Sequence, residues 1–241
     1  MRSAGRGRLI LLRHGESEAN AHDVFAGWID VALTAAGVRQ AHDAGRALAA
    51  DGVRPDAVHS SVLGRAVDTA RLALDAGSFV RPLTTHWRLN ERHYGALQGW
   101  SKDDARDHFG LEQVERWRRS AHAAPPPLTG PALAAQVHDP RYDEDARGVT
   151  TESLGQVRRR IEPYWRGVVS PELQDGLTVL VVSHGNALRM LASLATGAPA
   201  ELGATLEFDT ATPVEVPSDP GSGHRRAEEL LQRPGRVARG S

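Results

Sequence analysis

Short apolar runs alternate along this chain with longer segments of helical periodicity, and this alternation limits the fold more than any other feature. Residues 9–12 and 177–182 carry no charge, and the second run is the most apolar of the predicted strands. Strands that are buried on both faces form such continuous apolar runs. The pattern therefore predicts an α/β fold with three layers, in which a mostly parallel sheet has helices on both faces and residues 177–182 at its centre.

The remaining elements are predicted from local signals. Thr34 suits the N-cap of a helix whose apolar residues recur every three to four positions, and Gly52 suits its end. Thr151 is expected to open another long helix, which Pro163 should kink. Further strands are predicted at residue 58, over 79–85 and, at a sheet edge, over 213–216, and further helices over 63–74 and 185–194.

One domain is expected over residues 1–216. Its least strand-like part, about 101–149, contains three consecutive prolines and a segment at Ser101 that resembles a capping box, and it is predicted to be a helical insertion over the sheet. The tail, 217–241, has one helix-like piece, 225–232, and is expected either to close over the site as a lid or to be disordered.

The composition excludes several classes of partner. Because 29 Lys and Arg residues nearly balance 30 Asp and Glu residues, the chain has no global field for nucleic acid or an anionic membrane. Any anion site must therefore be local. The absence of cysteine excludes disulfides and thiolate metal sites and fits the cytoplasm. Apolar runs are too short for a signal peptide or a membrane span, so a soluble protein is expected, and a homo-oligomer is left open.

Two predicted strands end in nearly the same way. Residues 9–12 run into RHGE, which contains His14. Residues 177–182 run into SHGN, which contains His184. Because ligands of parallel sheets bind beyond the carboxyl ends of the strands, both histidines are expected in one crevice. The glycine after each histidine should permit a sharp turn and a close approach of backbone N–H groups to an anion.

Two arginines indicate what that crevice binds. Arg13 precedes His14, and Arg65 stands near the start of a helix that follows a short strand, again at the ligand-facing edge. Guanidinium groups form bidentate bonds with phosphate, so these two can neutralise a phosphoryl group. Taken singly, either histidine would more ordinarily be a hydrogen-bonded side chain at a strand end, and either arginine a solvated side chain. Together, the two histidines and the two arginines favour a phosphate site. No Walker loop, HExxH pair or GxSxG elbow indicates another site.

The motifs extend well beyond these positions. In chain order they are LILLRHGESEAN, FAGWIDVALTAAG, SSVLGRA, RLNERHYGALQG, QVERWRRS, HDPRYD, TTESL and VVSHGNALR. Over about residues 9–194 the chain resembles the cofactor-dependent phosphoglycerate mutases of the histidine phosphatase superfamily. RHGE alone marks only the superfamily, whereas LNERHYGALQG together with WRR resembles the mutases rather than the simpler phosphatases.

The resemblance implies a reaction and its residues. His14 would be phosphorylated during turnover, and Glu91 would be the acid and base. Arg13, Arg65 and His184 would hold the phosphoryl group. The implied substrate-binding residues are Asn20, Gly27, Tyr94, Lys102, Arg118, Arg119, Gly185 and Asn186. The implied activity is an isomerase of glycolysis and gluconeogenesis that interconverts 3-phosphoglycerate and 2-phosphoglycerate, with 2,3-bisphosphoglycerate as primer and intermediate and with no metal.

Some positions depart from the family pattern. Ala19, Ala26 and Ala187 stand where the mutases usually have Trp, a small hydroxyl or thiol residue, and Ser. Ala211 replaces a glycine, and because alanine adopts a positive φ only with strain, its loop must differ from that of the family or be strained. Two other functions stay open, namely a phosphatase in which water accepts the phosphoryl group from His14, and a phosphate-binding module without turnover.

Overall fold

A computed structural model describes residues 7–217, which contain a sheet of five strands. The strands are β1 (Arg8–Arg13), β2 (Ala57–Ser60), β3 (Leu83–Thr85), β4 (Thr178–Ser183) and β5 (Val214–Val216). Their spatial order is β3-β2-β4-β1-β5. The pairs β1–β4, β2–β4 and β2–β3 are parallel, whereas β5 pairs antiparallel with β1 at the edge. The mostly parallel sheet, its central strand and the late edge strand are thus confirmed.

Helices lie on both faces of the sheet. They are α1 (Glu18–Ala21), α2 (Ala35–Ala50), α3 (Gly64–Ala76), α4 (Lys102–Phe109), α5 (Leu111–Arg119), α6 (Gly130–Val137), α7 (Glu144–Arg147), α8 (Leu154–Tyr164), α9 (Ser170–Gln174), α10 (Gly185–Thr196) and α11 (Ala200–Gly203). Thr34 caps α2 as predicted, because its side chain accepts a hydrogen bond from the backbone N–H of Gly37.

Alternate residues of β1 enter two different hydrophobic cores. Leu9 and Leu11 pack in the core that contains the apolar faces of α8 and α10. Ile10 and Leu12 pack in the core that contains those of α2 and α3. Since successive strand side chains point to opposite faces, this division places one helical layer on each side of the sheet. The predicted three-layer architecture is confirmed.

Helix α8 begins later than predicted. Thr151 does not open it, because its hydroxyl donates to the carbonyl of Pro125. Ser153 is the N-cap, and it forms a reciprocal capping box with Gln156. Pro163 lies within the helix, and the irregularity expected there continues into a wide turn of π type over Trp165–Val169. A proline lacks the N–H group that would bond one turn back, which accounts for this break in the regular ladder.

Strand β3 is shorter than the predicted 79–85. Only Leu83–Thr85 pairs, because the neighbouring β2 offers just four residues and its register matches Val58 with Leu83. Pro82 lacks a backbone donor, and the side chain of Val80 is 90% exposed. The residues before Leu83 therefore approach the sheet without joining it.

The stretch predicted as an insertion consists of α4 to α7 and their connections. Ser101 caps α4, but the carboxylate of Asp104 accepts from its hydroxyl instead of completing the capping box. Of the tail, 217–241, which was expected to be a lid or to be disordered, residues 218–241 lie outside the described residues. No helix in the described range, 7–217, has the length and apolar character needed to span a bilayer.

Candidate active site

The carboxyl ends of β1 and β4 open into a cleft of about 280 Å³. Almost all of the residues that sequence patterns assigned to a site line it. They are Arg13, His14, Asn20, Gly27, Arg65, Glu91, Tyr94, Lys102, Arg118, Arg119, Gly185 and Asn186. His184 is fully buried, with its ring centroid 4.9 Å from that of His14. The two histidines at the strand ends are therefore neighbours, with His14 lining the cleft and His184 buried behind it.

His14 is held in a single tautomer. Its Nδ1 lies 2.7 Å from the carbonyl oxygen of Gly15. Because a carbonyl oxygen only accepts hydrogen bonds, Nδ1 carries the proton and Nε2 keeps a free lone pair. The ring is only 4% exposed, and burial, followed by the charges of Arg65 and Arg13, holds the pKa of His14 well below its usual value. His14 is thus a neutral imidazole with an available nucleophilic nitrogen.

His184 is oriented by Ser61 from the loop after β2. The Ser61 hydroxyl lies 2.8 Å from Nε2 of His184 and accepts from the backbone N–H of Leu63. Since that acceptor role leaves the hydroxyl proton free, we assign its donation to Nε2, which places the histidine proton on Nδ1. Within residues 7–217 this buried Nδ1 has no partner. Burial, Arg65 and His14 lower the pKa of His184, so it is a neutral N–H donor beside His14.

Arg65 is almost fully buried. Its guanidinium donates to the carbonyl oxygens of Ile29 at 2.9 Å and Gly27 at 2.8 Å. Burial lowers the pKa of Arg65 to about 10, which still leaves it charged at neutral pH. These two bonds fix the direction of the guanidinium, because both acceptors belong to one loop.

Arg13 is held by a stretch near the end of the described chain. Its Nη1 donates to the carbonyl of Phe208 at 3.0 Å, and its own carbonyl accepts from the N–H of Ala211 at 2.9 Å. Ala211 adopts a φ of 49°, so the loop keeps a conformation suited to glycine and carries strain. Nε of Arg13 is buried without a partner among residues 7–217. A buried donor left unpaired in this way fits an anionic ligand.

The expected role of one glycine is wrong. The N–H of Gly15 is taken by the hydroxyl of Thr69 at 3.0 Å, so it does not serve an anion. A Cβ at Gly15 would instead overlap the carbonyl of Gly37 in α2, and close packing explains the glycine. Gly185 does line the cleft, and a Cβ there would meet its first neighbour, Oε2 of Glu91, only at 3.9 Å.

Glu91 is fixed in the cleft through its backbone. Its carbonyl accepts from Nε1 of Trp28 at 2.6 Å and from Arg160 at 3.1 Å. Arg160 is in turn anchored by a buried ion pair with Glu152 at 2.7 Å. The N–H of Arg92 donates to one carboxylate oxygen of Glu91, at 2.7 Å. A carboxylate held this firmly can exchange a proton with a ligand at a fixed position.

The insertion contributes a second cationic group to the cleft, Lys102 at the start of α4 and Arg118 and Arg119 at the end of α5. Lys102 forms an ion pair with Asp23. Both arginines approach Glu115, at 2.5 Å and 3.8 Å. Tyr94 belongs to the same wall, and its hydroxyl accepts from the amide of Asn186 at 2.8 Å. Burial raises the pKa of Tyr94, so its hydroxyl stays protonated at neutral pH.

Sequence reasoning missed some residues of the cleft. Ser17, which caps α1 and bonds to Asn20, could have been found from its position in RHGES. Arg189 lies one helical turn after Asn186 in α10, a spacing that periodicity could have revealed. Glu207 and Phe208 come from an irregular loop and carried no signal. Val24, Phe25 and Ala26 complete the lining.

The site thus belongs to a mostly parallel α/β sheet whose strands β1 and β4 end in two neighbouring histidines, with arginines around them. The sequence profile of the histidine phosphatase superfamily (branch 1) matches residues 9–227, and the chain belongs to this superfamily. Within it, the chain is 50% identical over 186 residues to a 2,3-bisphosphoglycerate-dependent phosphoglycerate mutase of Thermobifida fusca (strain YX), covering 76% of this chain and 75% of that protein. A mutase of the same name from Rhodococcus jostii (strain RHA1) is 42% identical over 220 residues, covering 91% and 88%.

Solved structures of phosphatases share the fold. A mycobacterial glucosyl-3-phosphoglycerate phosphatase superposes with a TM-score of 0.68 at 25% identity, covering 88% of this chain and 90% of that one. The alpha-ribazole phosphatase of Shigella flexneri has a TM-score of 0.66 at 26% identity, covering 86% and 89%. The predicted family is thus confirmed by sequence, while these structural neighbours carry a hydrolytic activity. In the described range, no group of three or more His, Asp or Glu side chains is placed to hold a metal ion.

Proposed function

We propose that this protein is a 2,3-bisphosphoglycerate-dependent phosphoglycerate mutase, an isomerase that interconverts 3-phosphoglycerate and 2-phosphoglycerate through phosphorylated His14. The observation that carries the proposal is that one cleft combines a neutral histidine beside two arginines with a second cationic group from the insertion. A ligand with two anionic ends needs two such groups. The names of the relatives at 42–50% identity support the same reaction. Its place would be the cytoplasm, in glycolysis and gluconeogenesis.

His14 acts as the nucleophile. Its Nε2 attacks phosphorus in line, an N–P bond forms, and the P–O bond to the departing hydroxyl oxygen breaks. Arg13 and Arg65 offset the charge on the transferring group, and Nδ1–H of His184 donates to one of its oxygens. Because these donors are already in place, transfer requires little rearrangement of the protein.

Glu91 exchanges the proton. It protonates the oxygen that leaves when His14 is phosphorylated and takes the proton from the hydroxyl that attacks phospho-His14 in the second half-reaction. The carboxylate returns to its starting state after one cycle. The resulting 2,3-bisphosphoglycerate leaves either phosphoryl group on His14, so it serves as both intermediate and primer.

The cations of the insertion hold the part of the substrate that does not react. Lys102, Arg118 and Arg119 provide donors for a carboxylate and a fixed phosphate, and Tyr94 adds a hydroxyl. Gly27 lines the same cleft at a φ of 54°, and a backbone N–H at this position suits an anion. Holding both ends of a phosphoglycerate aligns its free hydroxyl with His14.

A phosphatase is the second candidate. The solved phosphatases with TM-scores of 0.66 to 0.68 favour it, because hydrolysis uses the same residues with water in place of the substrate hydroxyl. The two reactions differ in whether water reaches phospho-His14 before the bisphosphate has turned around.

One assay separates these two functions. The protein is given 3-phosphoglycerate with and without a catalytic amount of 2,3-bisphosphoglycerate, and 2-phosphoglycerate and free phosphate are both followed. A mutase forms 2-phosphoglycerate faster than phosphate and depends on the primer. If free phosphate is released faster than 2-phosphoglycerate is formed, the protein is a phosphatase and the proposed mutase function is wrong.

Labelling tests the nucleophile separately. Bisphosphoglycerate should leave an acid-labile label on the parent protein and on the H42A control, whose histidine is partly exposed on α2 outside the cleft. The H14A variant should take no label and show no turnover. Acid-stable label, or normal turnover of H14A, would overturn the mechanism.

A further inference from the structure

Arg189 lines the cleft beside the residues proposed to transfer the phosphoryl group and the proton. It belongs to α10, one turn beyond Asn186, and its guanidinium makes two bonds within the described residues. Nε donates to the carbonyl of Leu206 at 2.5 Å, and Nη1 donates to Oδ1 of Asn186 at 3.0 Å. No acceptor from residues 7–217 engages Nη2, which leaves this amino group available to a ligand.

Among residues 7–217, Arg189 forms no hydrogen-bonded ion pair with a carboxylate. Both of its acceptors in residues 7–217 are neutral, one a backbone carbonyl and the other an amide. Burial lowers the pKa of Arg189, whereas Tyr94 and the carboxylate of Glu91 raise it and the like charges of Arg119 and Arg13 lower it; guanidinium groups remain charged at neutral pH. Arg189 therefore adds positive charge to the cleft within electrostatic range of Arg13, Arg119 and the carboxylate of Glu91.

Arg189 also fixes the direction of an amide. Asn186 accepts from Arg189 through Oδ1, so its Nδ2 must face the hydroxyl of Tyr94, which it contacts at 2.8 Å. Having accepted this bond, the Tyr94 hydroxyl is free to donate its own proton into the cleft. The three side chains form one ordered set of donors, and a flipped amide would break it.

We propose that Arg189 is a substrate-positioning residue, which binds the anionic group that is not being transferred and sets the donor directions of Asn186 and Tyr94. It lines the same cleft as Arg13, beside His14, and Arg119 of the insertion, and it is within electrostatic range of both, so the three can act together on a doubly anionic ligand. Arg189 therefore selects substrates that carry a second anionic group. This role rests on the proposed function for the identity of the substrate.

The test compares two kinds of substrate, those with a second anionic group and one without it. Kinetics with 3-phosphoglycerate and with 2,3-bisphosphoglycerate are set beside hydrolysis of p-nitrophenyl phosphate, which has only the transferred group. In R189Q, KM for both phosphoglycerates should rise about 10-fold or more, as expected for a lost bond between charged groups, while kcat/KM for p-nitrophenyl phosphate should stay within about threefold. R189K keeps the charge without the planar fork and should fall between R189Q and the parent.

A matched control excludes a general effect on α10. Arg158 of α8 donates to Ser193 of α10, away from the cleft, so R158Q removes an arginine bound to the same helix. R158Q should leave both KM values unchanged. If R189Q lowers kcat/KM for both substrate types equally, or if its KM values match those of R158Q, the positioning role is refuted. Thermal unfolding of each variant shows whether a loss of activity comes from instability of the fold. If R189Q is unstable, the KM values of R189K test the positioning role in its place.

The coupling to Asn186 has its own readout. If Arg189 acts partly through this amide, the double variant R189Q/N186A should be only about twofold worse in KM than R189Q alone, because the orienting bond is already lost. Fully multiplicative effects would show that Arg189 does not orient Asn186. Should the parent release phosphate from bisphosphoglycerate without forming 2-phosphoglycerate, the mutase function fails. The contrast between bisphosphoglycerate and p-nitrophenyl phosphate still tests Arg189 in that case.

Discussion

Replacing Ser61 by alanine tests whether the tautomer of His184 matters. In our assignment the Ser61 hydroxyl donates to Nε2 of His184 and the ring proton is on Nδ1, so S61A should leave the ring free to take the other tautomer. An orienting hydrogen bond contributes about 0.5–1.5 kcal/mol, which corresponds to a loss of about 2- to 13-fold in the rate of phosphoryl transfer. This is well short of the loss of about 100- to 1,000-fold that follows removal of a transition-state donor, as in an H184A variant.

The neighbouring residue Ser60 provides the control. Its hydroxyl is buried without a partner among residues 7–217, so S60A removes a group of the same size from the same strand end with no orienting bond. Rapid-quench measurement of His14 phosphorylation by bisphosphoglycerate should show S60A near the parent and S61A slower. S61A should also lower the free energy of unfolding by about 1–3 kcal/mol, since the buried N–H of Leu63 loses its acceptor. If S61A is phosphorylated as fast as S60A, the tautomer assignment is refuted.

Other predictions concern Glu91 as the acid and base, the glycine Gly27 in the cleft, and the effect of pH on stability. E91Q should slow turnover by about 100- to 10,000-fold in steady-state assays while inorganic phosphate still binds, because the amide cannot carry a proton; turnover near that of the parent would remove Glu91 from the mechanism. G27A should raise KM, since Gly27 has a φ of 54° and an added Cβ would collide with Gln98. The control G52A has a similar φ of 69° but open space around it, so it should only lower the unfolding temperature. Equal KM values for the two variants would refute this prediction. Burial keeps His14 neutral, but the unfolded chain protonates below pH 6.5, so the free energy of unfolding should fall by up to about 1.4 kcal/mol per pH unit below that value and be unaffected above it. Urea titrations between pH 5 and 8 should show a smaller slope for H14Q, and an equal slope would contradict the buried neutral state.

Local patterns predicted the elements that depend on local physics. The sheet follows from apolar runs, and the convergence of His14 and His184 follows from the general geometry of parallel strands. The cap at Thr34 follows from one side chain and its nearest backbone donors. In each case the decisive interactions lie within a few residues or apply to every sheet of this kind.

The predictions that were wrong or incomplete concern residues whose structure depends on contacts with distant segments of the chain. Gly15 packs against α2, and its N–H bonds to Thr69, 54 positions away, so its need for glycine could not be read from the residues beside it. Thr151 does not cap α8, and its hydroxyl instead donates to the carbonyl of Pro125, 26 positions earlier. Arg189 enters the site because Leu206 and Asn186 hold its guanidinium, and that contact depends on the loop after α11.

The sheet also fixes when the site can form during synthesis. Phe208, which holds Arg13, follows it by 195 positions, and Arg8 pairs with Glu215 at a separation of 207. At about 5–20 residues per second, a ribosome needs about 10–40 s to cover this interval. For most of that time the apolar β1 lacks both of its neighbours in the sheet, because β4 (Thr178–Ser183) and β5 (Val214–Val216) are made only towards or after its end. Among the five strands, β1 therefore waits longest for its neighbours, and a chaperone that shields it should raise the yield of active protein.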